Sequence, residues 1–402
     1  MAGLVFQSTN LSTIKLRNRI FRSATHEGLA DELGVPTEAL TQLYVRLAKG
    51  GVGAIITGYA GIQQNGRSNY PGMMMIDRDE LIPVYKKMVA AVHEAGAPLI
   101  LQIAHCGRQT RSKVTGEATV APSPIKDKYF PEDLPHEMTE AEIEETIERF
   151  VAGIVRARAA GFDGVQLHIA HGYLLSEFFS PAANQRQDRW GGSVENRFRI
   201  VGEIFKRARV RVGTDYPVLV KMNGHEGHKQ GLRIAEAVNF AKLLEAAGCS
   251  AIEVSCGLLG DGLYTVRGPN VPVDAFFTFT ESYRNMAPVL KTLMKPVIPL
   301  LVNRPEPIEL YNVDAAQAIK QAVSIPVIVV GGVHRLDNME KILKEQQADF
   351  ISLSRPFIIE PNLLQKFQTG KQEASRCIKC NYCVLGLEVA PLRCYYGKVP
   401  AR

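Results

Sequence analysis

No run of about 18 consecutive apolar residues occurs in this 402-residue chain, so nothing in it has the length to cross a bilayer as an α-helix. The first residues, MAGLVFQSTNLSTIKLRNR, lack the charged, apolar and small-residue zones of a secretory leader, and the expected location is the cytoplasm. Concentrated charge is missing as well. The formal net charge is +6 at pH 7, with Lys and Arg interspersed among Asp and Glu. So diffuse a balance argues against a nucleic-acid surface while mildly favouring anionic cofactors. No internal repeat or low-complexity tract is visible, and no G-x-G-x-x-G follows an early strand, which removes the doubly wound dinucleotide fold.

What is present is the composition of an ordinary folded protein, 46% apolar and 22% charged. Short β-rich runs alternate with longer amphipathic stretches almost from end to end. The strand candidates are 18–24, 52–57, 98–103, 164–169, 217–222, 250–255, 326–331 and 349–354. Helical patterns lie between them at 37–49, 79–94, 140–160, 194–211, 235–247, 336–346 and 361–367, with Gly96, Gly161 and Gly248 as stops. Eight strand-helix units in one α/β chain predict a (β/α)8 TIM barrel, residues 1–370, with functional side chains at the C-terminal ends of the strands. A short extension, 371–402, follows a boundary near Thr369 and Gly370. The segment 257–324, which holds Gly260, Gly262 and Gly268, reads as a loop over the barrel mouth followed by the sixth helix.

The fourth strand ends in a run of chemistry-bearing residues: His168, His171 and Tyr173 leave it together. Two imidazoles at this spacing can converge on one oxygen and polarise a carbonyl, and a phenol two residues on can protonate a carbanion-like carbon. A satisfied structural pair and a zinc site are the competing readings of H-x-x-H. Barrels commonly hold a phosphate with the loops after strands seven and eight. Here strand seven ends in Gly331 and Gly332, and strand eight in Ser354 and Arg355. The glycines admit backbone N–H groups and the arginine adds a charge-assisted contact.

The seven cysteines are unevenly spread. Cys106, Cys249 and Cys256 are scattered, whereas Cys377, Cys380, Cys383 and Cys394 form C-x2-C-x2-C-x10-C. In a reducing compartment such clustering indicates metal ligation rather than disulfides, and four thiolates suit a [4Fe-4S] cluster or tetrahedral zinc.

The stretch from Phe178 to Arg197, FFSPAANQRQDRWGGSVENR, resembles the long signature that follows strand four in the Old Yellow Enzyme family. Other segments are similar too. Asn18 to Gly28 resembles the strand-one segment that runs beside the isoalloxazine ring, which implies flavin contacts for Ser23, Ala24, Thr25 and His26. Gly58 and Tyr59 occupy the place where the family packs small residues near that ring. Gln102 to Arg108, QIAHCGR, looks like the family's Q-L-x-H-A-G-R, with Gln102 on the flavin pyrimidine edge. Lys221 falls where the family places a cation beside flavin N1 and O2; without the resemblance it reads as a core-edge lysine paired with an acid.

The resemblance implies FMN as cofactor and NAD(P)H as electron donor. The substrate it implies is an α,β-unsaturated carbonyl or enoate, bound by His168 and His171 and protonated by Tyr173. The cysteine tail is similar in position to the cluster segment of 2,4-dienoyl-CoA reductases and trimethylamine dehydrogenase-like members. With Arg402 following so closely, either NAD(P)H reduces FMN directly or a separate electron-transfer protein works through the cluster, the first being simpler. The alternatives are a flavin and iron-sulfur amine dehydrogenase or demethylase, a metal-dependent barrel lyase or hydrolase using His168 and His171, and a non-catalytic flavoprotein. Natural substrate, choice of nicotinamide and a possible homo-oligomer are not written in these motifs.

Overall fold

The computed structural model of the chain describes residues 3–258, 261 and 263–397. Eight parallel strands form the barrel: β1 (Ile20–Arg22), β2 (Ala54–Gly61), β3 (Leu99–Ala104), β4 (Gly164–Ile169), β5 (Val218–Asn223), β6 (Ile252–Ser255), β7 (Val327–Val330) and β8 (Phe350–Leu353). Closure is complete, because β1 pairs both with β2 through Phe21 and Ala54 and with β8 through Ile20 and Ile351. Helices follow the strands in order: α1 (Glu38–Lys49), α2 (Ile82–Glu94), α3 (Glu140–Ala159), α4 (Val194–Val212), α5 (Ile234–Ala246), α6 (Val313–Lys320), α7 (Leu336–Lys344) and α8 (Leu363–Gln368). Their starts are locally encoded. Thr139 and Glu142 form a reciprocal capping box at α3, and Ser193 accepts from Asn196 N at α4. Among the described residues no helix is long and apolar enough to cross a membrane.

Strand periodicity sorts the side chains into an outer and an inner set. Val165, Leu167, Val218 and Val220 face outward and pack on Ile147, Phe150, Ile154, Ile200 and Ile204 of α3 and α4. The inward set is apolar at one end only. Phe21, Ala54, Ile56, Ile100, Leu219, Ala251, Ile328 and Phe350 fill the bottom, capped by Leu11, Ile14 and Leu16 of an N-terminal hairpin, Thr9–Leu11 and Ile14–Leu16. Each of the larger side chains among them contributes about 1.5–3 kcal/mol of burial. One step higher, the inward positions turn polar: Gln102, Gln166, His168, Lys221, Asn223, Glu253, Ser255 and Ser352 are all buried. A polar layer on an apolar plug places the chemistry at the strands' C-terminal ends.

Two expectations need correction. β1 is shorter than 18–24 because Asn18 is spent on the turn before it, where Oδ1 accepts from Ile20 N and Nδ2 donates to Gly51 O. The segment after β6 is not a plain loop. Short helices at Val273–Phe279, Glu281–Arg284, Pro288–Met294 and Ile298–Leu301 enclose their own apolar cluster, built on Leu263, Val271, Phe277 and Ile298, before α6 begins. Gly260, Gly262 and Arg402 lie outside the described residues.

Candidate active site

A cleft with about 1190 Å³ of free space, partly open to solvent, occupies the barrel mouth. Of the residues expected at the flavin and the substrate, all but Gly58 line it: Ser23, Ala24, Thr25 and His26 after β1; Tyr59 and Gln102 from β2 and β3; His168, His171 and Tyr173 from β4; Lys221 from β5; Gly331, Gly332, Ser354 and Arg355 after β7 and β8. The helical layer after β6 adds Thr265 and Val266, and the C-terminal extension adds Val384, Leu387 and Leu392. The extension is therefore a wall of the cleft, and Leu392 N donates to Glu27 O at 2.8 Å to hold it there.

The floor is a hydrogen-bonded polar network. Lys221 Nζ donates to Ser23 Oγ at 2.9 Å and lies 3.4 Å from Glu253 Oε2, while Ser23 Oγ donates to Glu253 Oε1 at 2.7 Å. Gln102 Nε2 donates to Gln166 Oε1 and Gln166 Nε2 to Glu253 Oε2, at 2.7 and 2.8 Å. Lys221 is thus both at the cleft and paired with an acid. Burial lowers its pKa and Glu253 opposes that shift. Glu253 and Gln166 were absent from the sequence reading. The signal that marks them is their inward position on β6 and β4 beside Lys221 and Gln102.

His171 sits in the left-handed region, φ 66°, which carries the chain sharply off β4. Its ring meets that of His168 nearly at right angles with centroids 5.0 Å apart, and Tyr173 lies 4.7 Å from His168. His171 Nε2 is 2.7 Å from Ser255 Oγ. His168 Nδ1 is buried without a hydrogen-bond partner in the protein, as are Ser352 Oγ and both ring nitrogens of His334, all at the same cleft. Unpartnered buried polar atoms are costly, and a bound ligand offers them relief. Burial, followed by the charge of Lys221, drives His171 down to about 3; burial, then His171 and Lys221, holds His168 well below the usual range. Both imidazoles are neutral at pH 7 and suit a carbonyl oxygen. Tyr173 stays protonated, since burial first and Tyr59 second push its phenol well above 10.

At the phosphate end, Gly331 and Gly332 have φ of 127° and 72°. A Cβ on Gly332 would come within 2.5 Å of Leu310 N, so conformation and space both require glycine. Thr25 Oγ1 and Ser354 Oγ are 2.8 Å apart. Arg355 Nη1 is engaged by Arg267 O at 2.9 Å and Asn381 Oδ1 at 2.6 Å, so its guanidinium is held in place. His26 Nε2 is bound to Pro71 O at 3.0 Å, with its ring stacked 5.0 Å from Tyr59. Burial lowers its pKa to about 4.

Behind Arg355 lies a second, small cavity lined by Cys377, Cys380, Cys383 and Cys394. All four thiols are free. Burial raises Cys383 to about 12, with Arg355 pulling the other way. Among the described residues no group of three or more His, Cys, Asp or Glu is placed to hold a metal ion.

Comparison with known proteins agrees with this architecture. The model of the NADH:flavin oxidoreductase / NADH oxidase family matches residues 5–298 and 292–374. The chain is 35% identical over 403 residues to an NADH oxidase of Thermoanaerobacter brockii, covering 99% of this chain and 56% of that protein. It is 31% identical over 360 residues to an NADPH dehydrogenase of Listeria monocytogenes, covering 89% and 92%. Among solved structures, an Old Yellow Enzyme homologue from Zymomonas mobilis superposes with a TM-score of 0.74 at 24% identity, covering 94% and 95%. The chain spans about half the length of some of the curated relatives it matches. With its barrel, its strand-end motifs and a family model that covers most of its length, the chain belongs to the NADH:flavin oxidoreductase family, that of Old Yellow Enzyme.

Proposed function

We propose that this chain binds FMN and acts as an NAD(P)H-dependent ene-reductase on α,β-unsaturated carbonyl compounds. The observation that carries the reading is the buried, unpartnered Nδ1 of His168, set against His171 and Tyr173 in the same cleft as Lys221, Gly331, Gly332 and Arg355. The donor set suits the cofactor. Gly331, Gly332 and Arg355 would hold its phosphate, Gln102 and Lys221 the pyrimidine edge, and Ser23 to His26 the flank of the ring. The chemistry a bound FMN supplies is hydride carriage from NAD(P)H to the β-carbon of an alkene conjugated to a carbonyl.

The residues of the chain supply the rest. Neutral His168 and His171 hold the substrate carbonyl oxygen and stabilise the negative charge that grows on it. Tyr173 gives the proton to the α-carbon. Orientation in the cleft removes much of the entropic barrier. Among the described residues lining the cleft there is no carboxylate to pair with the cationic amine of a dehydrogenase substrate, which favours a neutral one.

A [4Fe-4S] cluster on Cys377, Cys380, Cys383 and Cys394 belongs to the same reading. A zinc ion needs its four sulfurs gathered about one centre, whereas a cluster spreads four thiolates over four irons. The four thiols line one cavity, and their four-cysteine set suits such a cluster, with zinc as the alternative.

The test is an absorbance spectrum of anaerobically purified protein with iron and zinc analysis, followed by reduction with NADH or NADPH and reoxidation by cyclohex-2-enone. Tyr173→Phe should keep flavin reduction and slow enone reduction by about a hundredfold or more. Reduction of the flavin by an amine in the absence of NAD(P)H, or unchanged enone reduction in Tyr173→Phe, would overturn the assignment.

A further inference from the structure

Tyr173 stands at the end of a line of three hydroxyls. Its Oη donates to Tyr59 Oη at 3.3 Å, and Tyr59 Oη lies 3.1 Å from Ser68 Oγ, where either group can donate. Ser68 Oγ also accepts from Tyr70 N at 3.1 Å. Ser68 is itself buried, but its chain neighbours Arg67 and Asn69 are partly exposed, so the line runs from the cleft toward the surface.

The backbone is shaped to build this line. Pairing of β2 with β3 is regular at Ile55–Leu99 and Ile56–Ile100, then resumes one residue out of step at Tyr59–Gln102. The extra residue is a bulge at Thr57 and Gly58, a device that re-aims the side chains beyond it. Gly58 N donates to Glu27 Oε1 and to Tyr44 Oη, both at 3.1 Å, and a Cβ at Gly58 would come 2.0 Å from Glu27 Oε2. Glu27 is fixed in turn by Arg22. A buried ion pair thus clamps the bulge that carries the Tyr59 phenol to Tyr173.

The chemistry needs such a line. Once Tyr173 has given up its proton, a phenolate remains in a buried cluster with Tyr59, Met73, Ala104 and Cys106, where negative charge is poorly solvated. A filled cleft would leave Tyr173 little access to solvent from that side. We infer that Tyr59 and Ser68 form a proton relay that refills Tyr173 from the solvent side after each turnover. The relay rests on Tyr173 being the proton donor. The Tyr173 O–H bond breaks as the C–H bond forms at the α-carbon of the substrate. Tyr59 then passes its proton to the Tyr173 oxygen, Ser68 replaces that of Tyr59, and a water molecule replaces that of Ser68, leaving hydroxide to the buffer. Each alkene reduced takes one hydride from NAD(P)H and one proton from solvent. Rotation of the hydroxyls resets the line, since each can serve as donor or acceptor.

Tyr59→Phe separates this role from a structural one. Tyr173 would still carry one proton, so any slowing of the first turnover of pre-reduced, FMN-loaded protein with cyclohex-2-enone should be small beside that of the steady state. Steady-state reduction at saturating NAD(P)H should fall about tenfold with an enlarged solvent deuterium isotope effect. Ser68→Ala should act in the same direction. As a readout independent of turnover, the fluorine resonance of 3-fluorotyrosine placed at position 173 should move in both variants. A first turnover slowed as much as the steady state would reduce Tyr59 to a packing residue and overturn the relay, as would a steady state left intact. Tyr173→Phe run alongside should lose the first turnover itself. If it does not, the donor assignment falls and takes the relay with it.

Discussion

Arg355 donates to the side-chain oxygen of Asn381 at 2.6 Å, tying the end of β8 to the loop between Cys380 and Cys383. Asn381 adopts φ 63° and also donates through Nδ2 to Val266 O at 2.7 Å, so one side chain fastens the thiol loop to both sides of the cleft. Glycine tolerates the same backbone and offers no acceptor. Asn381→Gly should leave Arg355 with one fewer partner and weaken FMN binding about tenfold, equivalent to about 1.4 kcal/mol. Fluorescence titration of the flavin-free protein measures it. An unchanged dissociation constant would mean that Arg355 is held without this contact.

The bulge in β2 makes a prediction about stability. With Gly58 already against Glu27 and Thr25 O, a methyl group there overpacks a buried ionic cluster. Gly58→Ala should lower stability by about 1–3 kcal/mol in urea titration, and it should displace Tyr59 from Tyr173. A variant as stable as the parent would show that the bulge relaxes freely.

These two contacts also mark where sequence reasoning ends. The eight strands are legible because their outward and inward faces are both buried and read as short continuous apolar runs. Gln102 and Lys221 are legible through their resemblance to the family's strand-end segments, and the two histidines through their place at the end of β4. A bulge leaves no such trace. Nothing in Ile-Ile-Thr-Gly-Tyr says that pairing slips at Thr57, so the approach of Tyr59 to Tyr173 appears only in three dimensions. The helices between 273 and 301 are equally hidden, since segments of four to seven residues complete too few turns for a period to emerge. Glu253 reads as one polar residue in a short strand until its neighbours Lys221 and Gln166 are seen beside it.

The Lys221–Glu253 pair is fully enclosed, and removing one charge from such a pair strands the other. Glu253→Gln should destabilise the protein by about 3–5 kcal/mol at pH 7. Lys221→Met combined with Glu253→Leu should recover part of that loss, because apolar replacement of both partners leaves no buried charge. Urea midpoints of the two variants decide it. If the double variant is no more stable than the single one, the loss comes from broken hydrogen bonds to Ser23 and Gln166 rather than from an orphaned charge.

The last prediction concerns acid. Burial is the leading cause that lowers His26 to about 4 and His105, His171 and His334 to about 3. In the unfolded chain each takes its proton near pH 6.5. Between those values the unfolded state binds protons that the folded state refuses. The histidine contribution is therefore whole above about pH 6.5 and falls as the pH drops, by about 1.4 kcal/mol per pH unit for each histidine. Glu177 works in the opposite sense. Burial lifts it to about 8, so its contribution is lost as pH rises from about 4.5 toward 8. Burial also raises Asp127, Glu226 and Glu388 and lowers His168 and His225, so below pH 6.5 six depressed histidines stand against four raised carboxyls, and urea midpoints of the flavin-free protein should decline from there. His334 isolates the effect in the flavin-free protein, since neither of its nitrogens has a hydrogen-bond partner there to lose. His334→Leu should flatten the decline by about 1.4 kcal/mol per pH unit between pH 6 and 4.5, and an unaltered slope would mean that this imidazole gains its proton in the folded protein as readily as in the unfolded one.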